Sequence, residues 1–124
     1  MTEPVFLGTT GGVVRSTETV ATVSRRLGAA GWRVADLVGV VDEASFHAGI
    51  AAALGFPGHY GANLDALWDC LTDLTVPTAV VWREWSVLAV DHPRQWARVV
   101  GVLRERALEA PAGSPAFAVV LVEA

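Results

Sequence analysis

The sequence predicts a small parallel α/β fold, with about three core strands packed against helices. Three apolar runs, at residues 32–41, 78–85 and 116–122, lack the polar alternation of a strand with one face in water. Segments with helical periodicity separate these runs, which favours parallel pairing. With 124 residues, of which 52% are hydrophobic, the chain is long enough to build one core.

The N-terminal segment could add a fourth strand to this sheet. Residues 3–7 are a short strand candidate, and the glycine-rich residues 8–12 predict a turn after it. Ser16 is the expected cap of a helix over residues 17–30, which Gly31 ends. We therefore predict an extension, residues 1–31, that packs on a main domain, residues 32–124, within a single globular unit.

Two helices are expected between the first and second apolar runs. Asp42 is the predicted cap of the first helix, in which Phe46, Ile50 and Leu54 recur at helical spacing and should face the core. The glycines and proline of residues 55–58 end that helix. Asn63 is the predicted cap of the second helix, which runs to about residue 74.

A long helix is expected between the second and third apolar runs. Asp91 as its cap and Pro93 in its first turn predict a helix that extends to about residue 109. Its core-facing positions should be Trp96, Val100, Leu103 and Ala107. Trp82 and Trp85, in the strand before it, should also lie in the core.

Charge is distributed unevenly along the chain. Between Val34 and Trp82 there are six carboxylates and no lysine or arginine, whereas all nine arginines lie outside that block with seven acids. Such a block repels itself and is typical of a surface that meets a cationic partner. The six carboxylates are Asp36, Asp42, Glu43, Asp65, Asp69 and Asp73.

Three of these carboxylates belong to the helix that Asn63 caps. At 100° per residue, Asp65, Asp69 and Asp73 form a stripe beside an apolar stripe of leucines. Each aspartate pair at i, i+4 costs about 0.2–0.5 kcal/mol, so folding alone gives no reason for the stripe. A solvated helix face is the alternative interpretation, but such faces normally mix charges of both signs.

Composition and sequence pattern disfavour several classes of function. A pI near 5.2 is unfavourable for binding nucleic acid or an anionic membrane. No apolar run approaches the roughly 18 residues of a membrane span, and the N-terminus shows no signal-peptide pattern. A single cysteine, Cys70, cannot form an internal disulfide and fits a cytoplasmic location. We expect Cys70 to be a buried hydrophobic residue without a catalytic role.

The segment 56–72 carries a specific resemblance. Its sequence, Phe-Pro-Gly-His-Tyr-Gly-Ala-Asn-Leu-Asp-Ala-Leu-Trp-Asp-Cys-Leu-Thr, closely resembles the barstar family of intracellular inhibitors of secreted guanine-preferring ribonucleases such as barnase. The similarity extends over residues 33–123 and includes Val-Val-Trp-Arg-Glu-Trp at 80–85 and Leu-Arg-Glu at 103–105. It implies a cytoplasmic, non-enzymatic inhibitor, monomeric when free, that binds one ribonuclease without a cofactor or metal.

The resemblance also implies roles for individual residues. Asp69 corresponds to the carboxylate that enters the ribonuclease active site where substrate phosphate would lie. Asp65, Thr72 and Glu105 match further contact positions. Trp68 and Asn63 match positions beside or within the binding helix, although the sequence favours a core role for Trp68 and a capping role for Asn63. The family's association is fast and salt-sensitive, and the resemblance implies the same here.

Three positions depart from the family pattern and leave the target open. His59 stands where the family often has tyrosine, Asp73 where it often has glycine, and Leu74 where it often has tryptophan. His59 and Tyr60 could contact the partner or be ordinary loop residues, and for Tyr60 we favour packing beneath the loop. An immunity protein against another toxin nuclease is therefore the alternative to a barnase-type inhibitor.

An enzyme is the alternative from a different functional class. His59 and two of the three helix carboxylates could in principle hold a divalent cation or act as an acid and base. The three carboxylates span about 12 Å along the helix, which is too far for one ion. The sequence also lacks a phosphate-binding glycine loop and an H-E-x-x-H motif, so we expect neither catalysis nor a metal.

Overall fold

Residues 12–123, which the computed structural model describes, form an all-parallel sheet covered by helices. The strand order is β1-β4-β3-β2, so the α/β prediction is confirmed, and the fourth strand comes from the N-terminal segment. In chain order the elements are β1 Gly12–Ser16, α1 Val20–Ala29, β2 Arg33–Leu37, α2 Glu43–Leu54, α3 Leu64–Thr72, β3 Thr78–Arg83, α4 Ser86–Asp91, α5 Pro93–Glu109 and β4 Phe117–Val122.

The sheet has a hydrophobic cluster on each face. Side chains of α2, α3, α4 and α5 pack on one face, around Phe46, Trp82 and Leu103. Val23 and Leu27 of α1 pack on the other face against alternate residues of β3 and β4. Since β3 and β4 lie in the middle of the sheet, nearly all their side chains are buried, which explains their unbroken apolar sequences.

The N-terminal elements differ from the prediction in position. The strand candidate at residues 3–7 lies outside the described residues. The strand that joins the sheet is β1, which includes Ser16. The predicted capping role of Ser16 is therefore wrong: its Oγ accepts the Glu18 N–H, and Thr19 caps α1 through the Thr22 N–H. Because Ser16 ends β1 and its side chain forms a turn with the Glu18 N–H, α1 begins about one turn later than predicted.

The segment after β3 also differs from the prediction. β3 ends at Arg83 because Glu84 adopts a left-handed backbone conformation with φ of 54°. A short helix, α4, follows, and Asp91 is its last residue instead of the cap of α5. His92 occupies the capping position of α5 without a side-chain hydrogen bond, and Pro93 opens the helix as predicted. Trp85 and Trp96 are half-buried, whereas Trp82 is fully buried.

The helices that frame the acidic segment have well-defined ends. Asp42 caps α2 through the Ser45 N–H at 2.8 Å, and Ser45 Oγ accepts the Asp42 N–H in return. Hydrogen bonding from the Ser45 backbone N–H and from the Ser45 side chain lowers the pKa of the Asp42 carboxyl. At the other end of α2, Gly55 takes the left-handed conformation and Arg33 donates to the Leu54 carbonyl at 3.1 Å. These contacts fix where the loop toward α3 begins.

Candidate acidic binding surface

Helix α3 separates its apolar and acidic faces as its spacing predicts. Asn63 begins the helix by accepting the Ala66 N–H at 2.8 Å, which confirms its capping role. Leu67 and Leu71 are fully buried beneath the helix. On the outer face the aspartates are exposed: Asp65, Asp69 and Asp73. We call these three residues the α3 carboxylates.

The other three carboxylates of the acidic block have hydrogen-bond or ion-pair partners nearby in the folded protein. Asp36 receives two hydrogen bonds from Arg83, at 2.9 and 2.8 Å, and Glu43 forms an ion pair with Arg98. Asp42 caps α2. Within residues 12–123, the α3 carboxylates form no such ion pair. Folding therefore compensates half of the acidic block and leaves the uncompensated charge on one helix.

A groove beside α3 brings a fourth carboxylate to this surface. It lies between α3 and α5 and has a volume of about 520 Å³. Glu105, the predicted outlying acidic contact, lies on the α5 side of the groove, and Val102 contributes apolar surface there. Trp68 is half-buried and lines the groove, so it is accessible and not wholly part of the core. The lining residues are Leu64, Asp65, Trp68, Asp69, Val102 and Glu105.

The remaining predicted residues flank the groove along the chain. His59 is exposed in the loop before α3, whereas Tyr60 is half-buried and packs on Phe56 with ring centroids 5.0 Å apart. At the far end of α3, Thr72 donates its hydroxyl to the Asp69 carbonyl at 2.9 Å, and its oxygen still has acceptor capacity. Leu74 packs against the core, so this departure from the family pattern is partly a packing change.

The loop before α3 contains a strained residue, and its relief is a testable prediction. Ala62 has φ of 54°, a left-handed conformation that disfavours side chains with a Cβ. Ala62→Gly should raise the free energy of unfolding by about 0.5 kcal/mol, because strain relief exceeds the added flexibility of the unfolded chain. Ala52→Gly, the same change at an exposed position inside α2, should lower it by about 0.5–1 kcal/mol. Chemical denaturation would measure both, and equal effects would contradict strain at Ala62.

A buried arginine supports the C-terminal end of α3 from below. Arg106 of α5 is 1% exposed and donates Nε–H to the Leu71 carbonyl at 2.8 Å. It also donates to the Pro115 carbonyl at 3.0 Å and lies over the Phe117 ring. Burial lowers the pKa of the Arg106 guanidinium. A cation at this end of α3 interacts favourably with the negative end of the helix dipole. It therefore offsets the unfavourable interaction of that dipole with the Asp73 carboxylate.

Two residues that shape this surface were not predicted from the sequence. Arg106 belongs to a run of alternating charges on α5, which gives no sign that one arginine points inward. His47 of α2 is 3% exposed and bonds to Tyr60 at 2.5 Å, although nothing in the sequence links these two residues. The one available signal was the i, i+4 spacing of Glu43 and His47, which places both on one side of α2.

The described residues show no arrangement typical of a metal enzyme. Among residues 12–123, no three His, Cys, Asp or Glu side chains are grouped closely enough to hold a metal ion. Cys70 is half-buried, and burial raises the pKa of its thiol, which disfavours the reactive thiolate. Nor does any helix in that range combine the length and apolarity that spanning a bilayer requires.

Comparison with solved structures confirms the fold but carries no functional information. The chain aligns over 94% of its length with 35% of the chain in "Structure of the Aeropyrum Pernix ORC2 protein (ADPNP-ADP complexes)". The TM-score is 0.62 and the sequence identity 16%, so only the fold is shared.

Comparison with sequences identifies the family. The chain is 62% identical over 41 residues to YrdF of Bacillus subtilis (strain 168), which is named as a candidate ribonuclease inhibitor. This match covers 32% of the chain and 45% of that relative, so the chain spans about half the length of the relative. The profile of the family described as "Barstar (barnase inhibitor)" matches residues 32–122. The chain therefore belongs to the barstar family.

Proposed function

We propose that this protein is a stoichiometric, non-catalytic inhibitor of a secreted guanine-specific ribonuclease. It acts in the cytoplasm of the producing cell and blocks the active site of the enzyme with α3. Membership of the barstar family supports an inhibitor of ribonucleases in general. The choice of a guanine-specific enzyme rests on the similarity of segment 56–72.

The observation that carries this proposal is the exposed, uncompensated charge of the α3 carboxylates. Other acids of the same block are neutralised by arginines or used as caps, so unpaired charge is not a general property of this surface. Like charges at i, i+4 destabilise the helix, and their retention is explained by a cationic partner. Ribonuclease active sites are cationic because they hold phosphate.

The geometry of the groove suggests how a cationic enzyme would bind. Asp69 would take the place of a substrate phosphate and accept paired N–H donors from arginine, as carboxylates readily do. The neighbouring groove suits the side chain of an arginine or lysine, because Trp68 and Val102 offer apolar surface for its stem. Asp65 and Glu105 would hold its charged end, with a cation–π contribution from Trp68.

Residues at the two ends of α3 would complete the interface. Thr72 and Asp73 would contact the enzyme from the C-terminal end, and His59 from the loop before the helix. Tyr60 would act mainly by packing, since it is half-buried against Phe56. Asn63 would act by fixing the start of the helix.

Titration against purified ribonucleases tests the proposal. Increasing amounts of the full chain are mixed with guanine-specific bacterial ribonucleases, and RNA cleavage is followed at low and high salt. We expect complete inhibition with an end point at one inhibitor per enzyme, and weaker, slower binding at high salt. Cleavage that persists at micromolar inhibitor would refute the proposal for those enzymes. RNA cleavage by the chain alone would instead favour an enzyme.

A nuclease of another kind is the second candidate target. His59 and Asp73 are both exposed and both depart from the family pattern, so they alter the two ends of the binding surface. Including toxin nucleases without guanine preference in the same titration separates the two candidates. Inhibition of only such a nuclease would favour the second.

His59 gives a pH-dependent prediction. A histidine gains positive charge as pH falls through the weakly acidic range, and a cation facing a cationic enzyme should repel it. Binding by the wild type should therefore weaken between pH 8 and pH 5 more than binding by His59→Tyr, measured against one enzyme. The comparison cancels titration of the enzyme and of every group that the two proteins share. Parallel losses in the two proteins would show that His59 is not the titrating contact.

A further inference from the structure

A buried histidine lies beneath the loop that carries His59. His47 is 3% exposed, although its neighbours on the inner side of α2, such as Phe46 and Ile50, are apolar. Its ring packs edge-on against Phe46, with centroids 5.4 Å apart, and lies 5.7 Å from the ring of Tyr60. A buried imidazole is stable only when both ring nitrogens find partners.

Both ring nitrogens have partners, and these belong to a chain of polar contacts. Nδ1 lies 2.5 Å from the Tyr60 hydroxyl, and Nε2 lies 3.4 Å from Glu43 Oε2. The other carboxylate oxygen of Glu43 forms an ion pair with Arg98 of α5. The Glu43 N–H also donates to Gln95 Oε1 of α5 at 2.8 Å. These polar contacts therefore connect α5 through α2 to the loop between α2 and α3.

The protonation state of Tyr60 bears on which groups donate and which accept in these polar contacts. Burial raises the pKa of Tyr60 to about 12, so the hydroxyl keeps its proton at neutral pH. In the tautomer of His47 that has its proton on Nε2, the Tyr60 hydroxyl donates to Nδ1 and the Nε2–H faces Glu43. Each group thus has a donor or acceptor that matches its neighbour.

The contact with Tyr60 anchors the loop between α2 and α3, which also packs on the core through Phe56 but whose backbone hydrogen bonds are local. The loop between α2 and α3 has a backbone bond from Phe56 to the Ala51 carbonyl and a turn bond from Tyr60 to the Pro57 carbonyl. Both bonds are local in sequence. In contrast, the Tyr60 hydroxyl joins the loop to α2, and through Glu43 to α5. His59, the residue before Tyr60, is exposed.

We propose that His47 is a positioning residue for inhibition, which holds Tyr60 and thereby presents His59 to the ribonuclease. The inference rests on the proposed function. Because His47 is buried, a partner bound on the surface does not touch it, and any effect of its replacement on affinity is transmitted through the loop. Glu43 and Arg98 belong to the same device, since they orient the imidazole.

A double-mutant cycle in binding tests this coupling. His47→Leu removes both hydrogen bonds, and its effect is measured on ribonuclease inhibition together with His59→Ala and with Glu105→Ala. The loss caused by His59→Ala should be smaller in the His47→Leu background by at least about twofold. Glu105 lies on α5 beside the groove, so the loss caused by Glu105→Ala should be equal in the two backgrounds. Equal losses for His59→Ala as well would overturn the inference.

A measurement on the free protein separates this inference from the proposed function. Backbone ¹⁵N order parameters of residues 58–61 should fall in His47→Leu from about 0.85 toward 0.6 or less, while those of α3 and the strands stay unchanged. Tyr60→Phe, which keeps the ring and removes only the hydroxyl, should show the same change and serves if His47→Leu does not fold. An equally ordered loop in the folded variant would overturn the inference. A wild type that inhibits no ribonuclease, with the loop loosened as expected, would overturn the proposed function alone.

Discussion

Asp69→Ala is expected to weaken inhibition more than any other single change on the α3 surface. In the proposed complex this carboxylate faces the arginines that bind phosphate, and its removal leaves them buried without a partner. The expected loss is at least about 2 kcal/mol of binding free energy, or roughly 30-fold in Kd. The free energy of unfolding should stay constant or rise slightly, because repulsion from the neighbouring aspartates decreases. Inhibition titrations and chemical denaturation measure the two effects.

Two further variants identify the origin of this loss. Asp69→Asn keeps the size of the side chain and removes its charge, so it should lose most of the affinity that Asp69→Ala loses. Asp36→Ala removes one negative charge from β2, where the carboxylate is paired with Arg83. If Asp69→Ala costs no more affinity than Asp36→Ala, α3 is not the centre of the interface.

Arg106→Met is expected to cause a large loss of stability. The change removes the hydrogen bonds to the Leu71 and Pro115 carbonyls, so that the Leu71 carbonyl keeps only a long backbone hydrogen bond from the Leu74 N–H at 3.4 Å. Each buried acceptor without a partner costs about 1–3 kcal/mol. Methionine retains much of the volume, so we expect the free energy of unfolding to fall by about 3 kcal/mol in urea denaturation.

Arg104→Met is the matched control for this variant. Arg104 is exposed on the same helix, so its replacement should change the free energy of unfolding by less than about 0.5 kcal/mol. Similar effects of the two variants would mean that the contribution of Arg106 is only its charge. Retention of inhibition by folded Arg106→Met would show that the end of α3 keeps its position without this support.

Much of the fold follows from local patterns in the sequence. The apolar runs identify β3 and β4 because a buried parallel strand needs no polar alternation, whereas β2, at the border of the sheet, covers only residues 33–37 of its run and exposes Arg33 and Asp36. Asp42 and Asn63 identify two helix starts because their side chains satisfy free N–H groups. The position of β1 and the existence of α4 were not predicted: the glycines of residues 8–12 favoured a turn where β1 begins, and α4 depends on the left-handed turn at Glu84, which no propensity predicts for glutamate.

The candidate surface was predictable where it depends on one helix and not where it depends on packing between helices. The stripe of α3 carboxylates follows from the helical period alone. The groove could not be predicted, because the neighbourhood of α3 and α5 depends on the whole sheet. For the same reason the sequence shows six acids without local compensation, whereas Arg83 and Arg98 reach two of them in the folded protein.

The strands on either side of the central pair, β3 and β4, differ in how they limit strand pairing with another protein molecule. β2, at one border of the sheet, carries Arg33 and Asp36, and charged side chains discourage intermolecular strand pairing. β4 is apolar throughout, and only the pairing with β1 keeps it from being a border strand. β1 itself carries Arg15, which lies over the Trp85 ring. β1, which precedes the family-matched region, thus pairs with backbone groups of β4 that would otherwise be free to pair with a neighbouring molecule and favour aggregation.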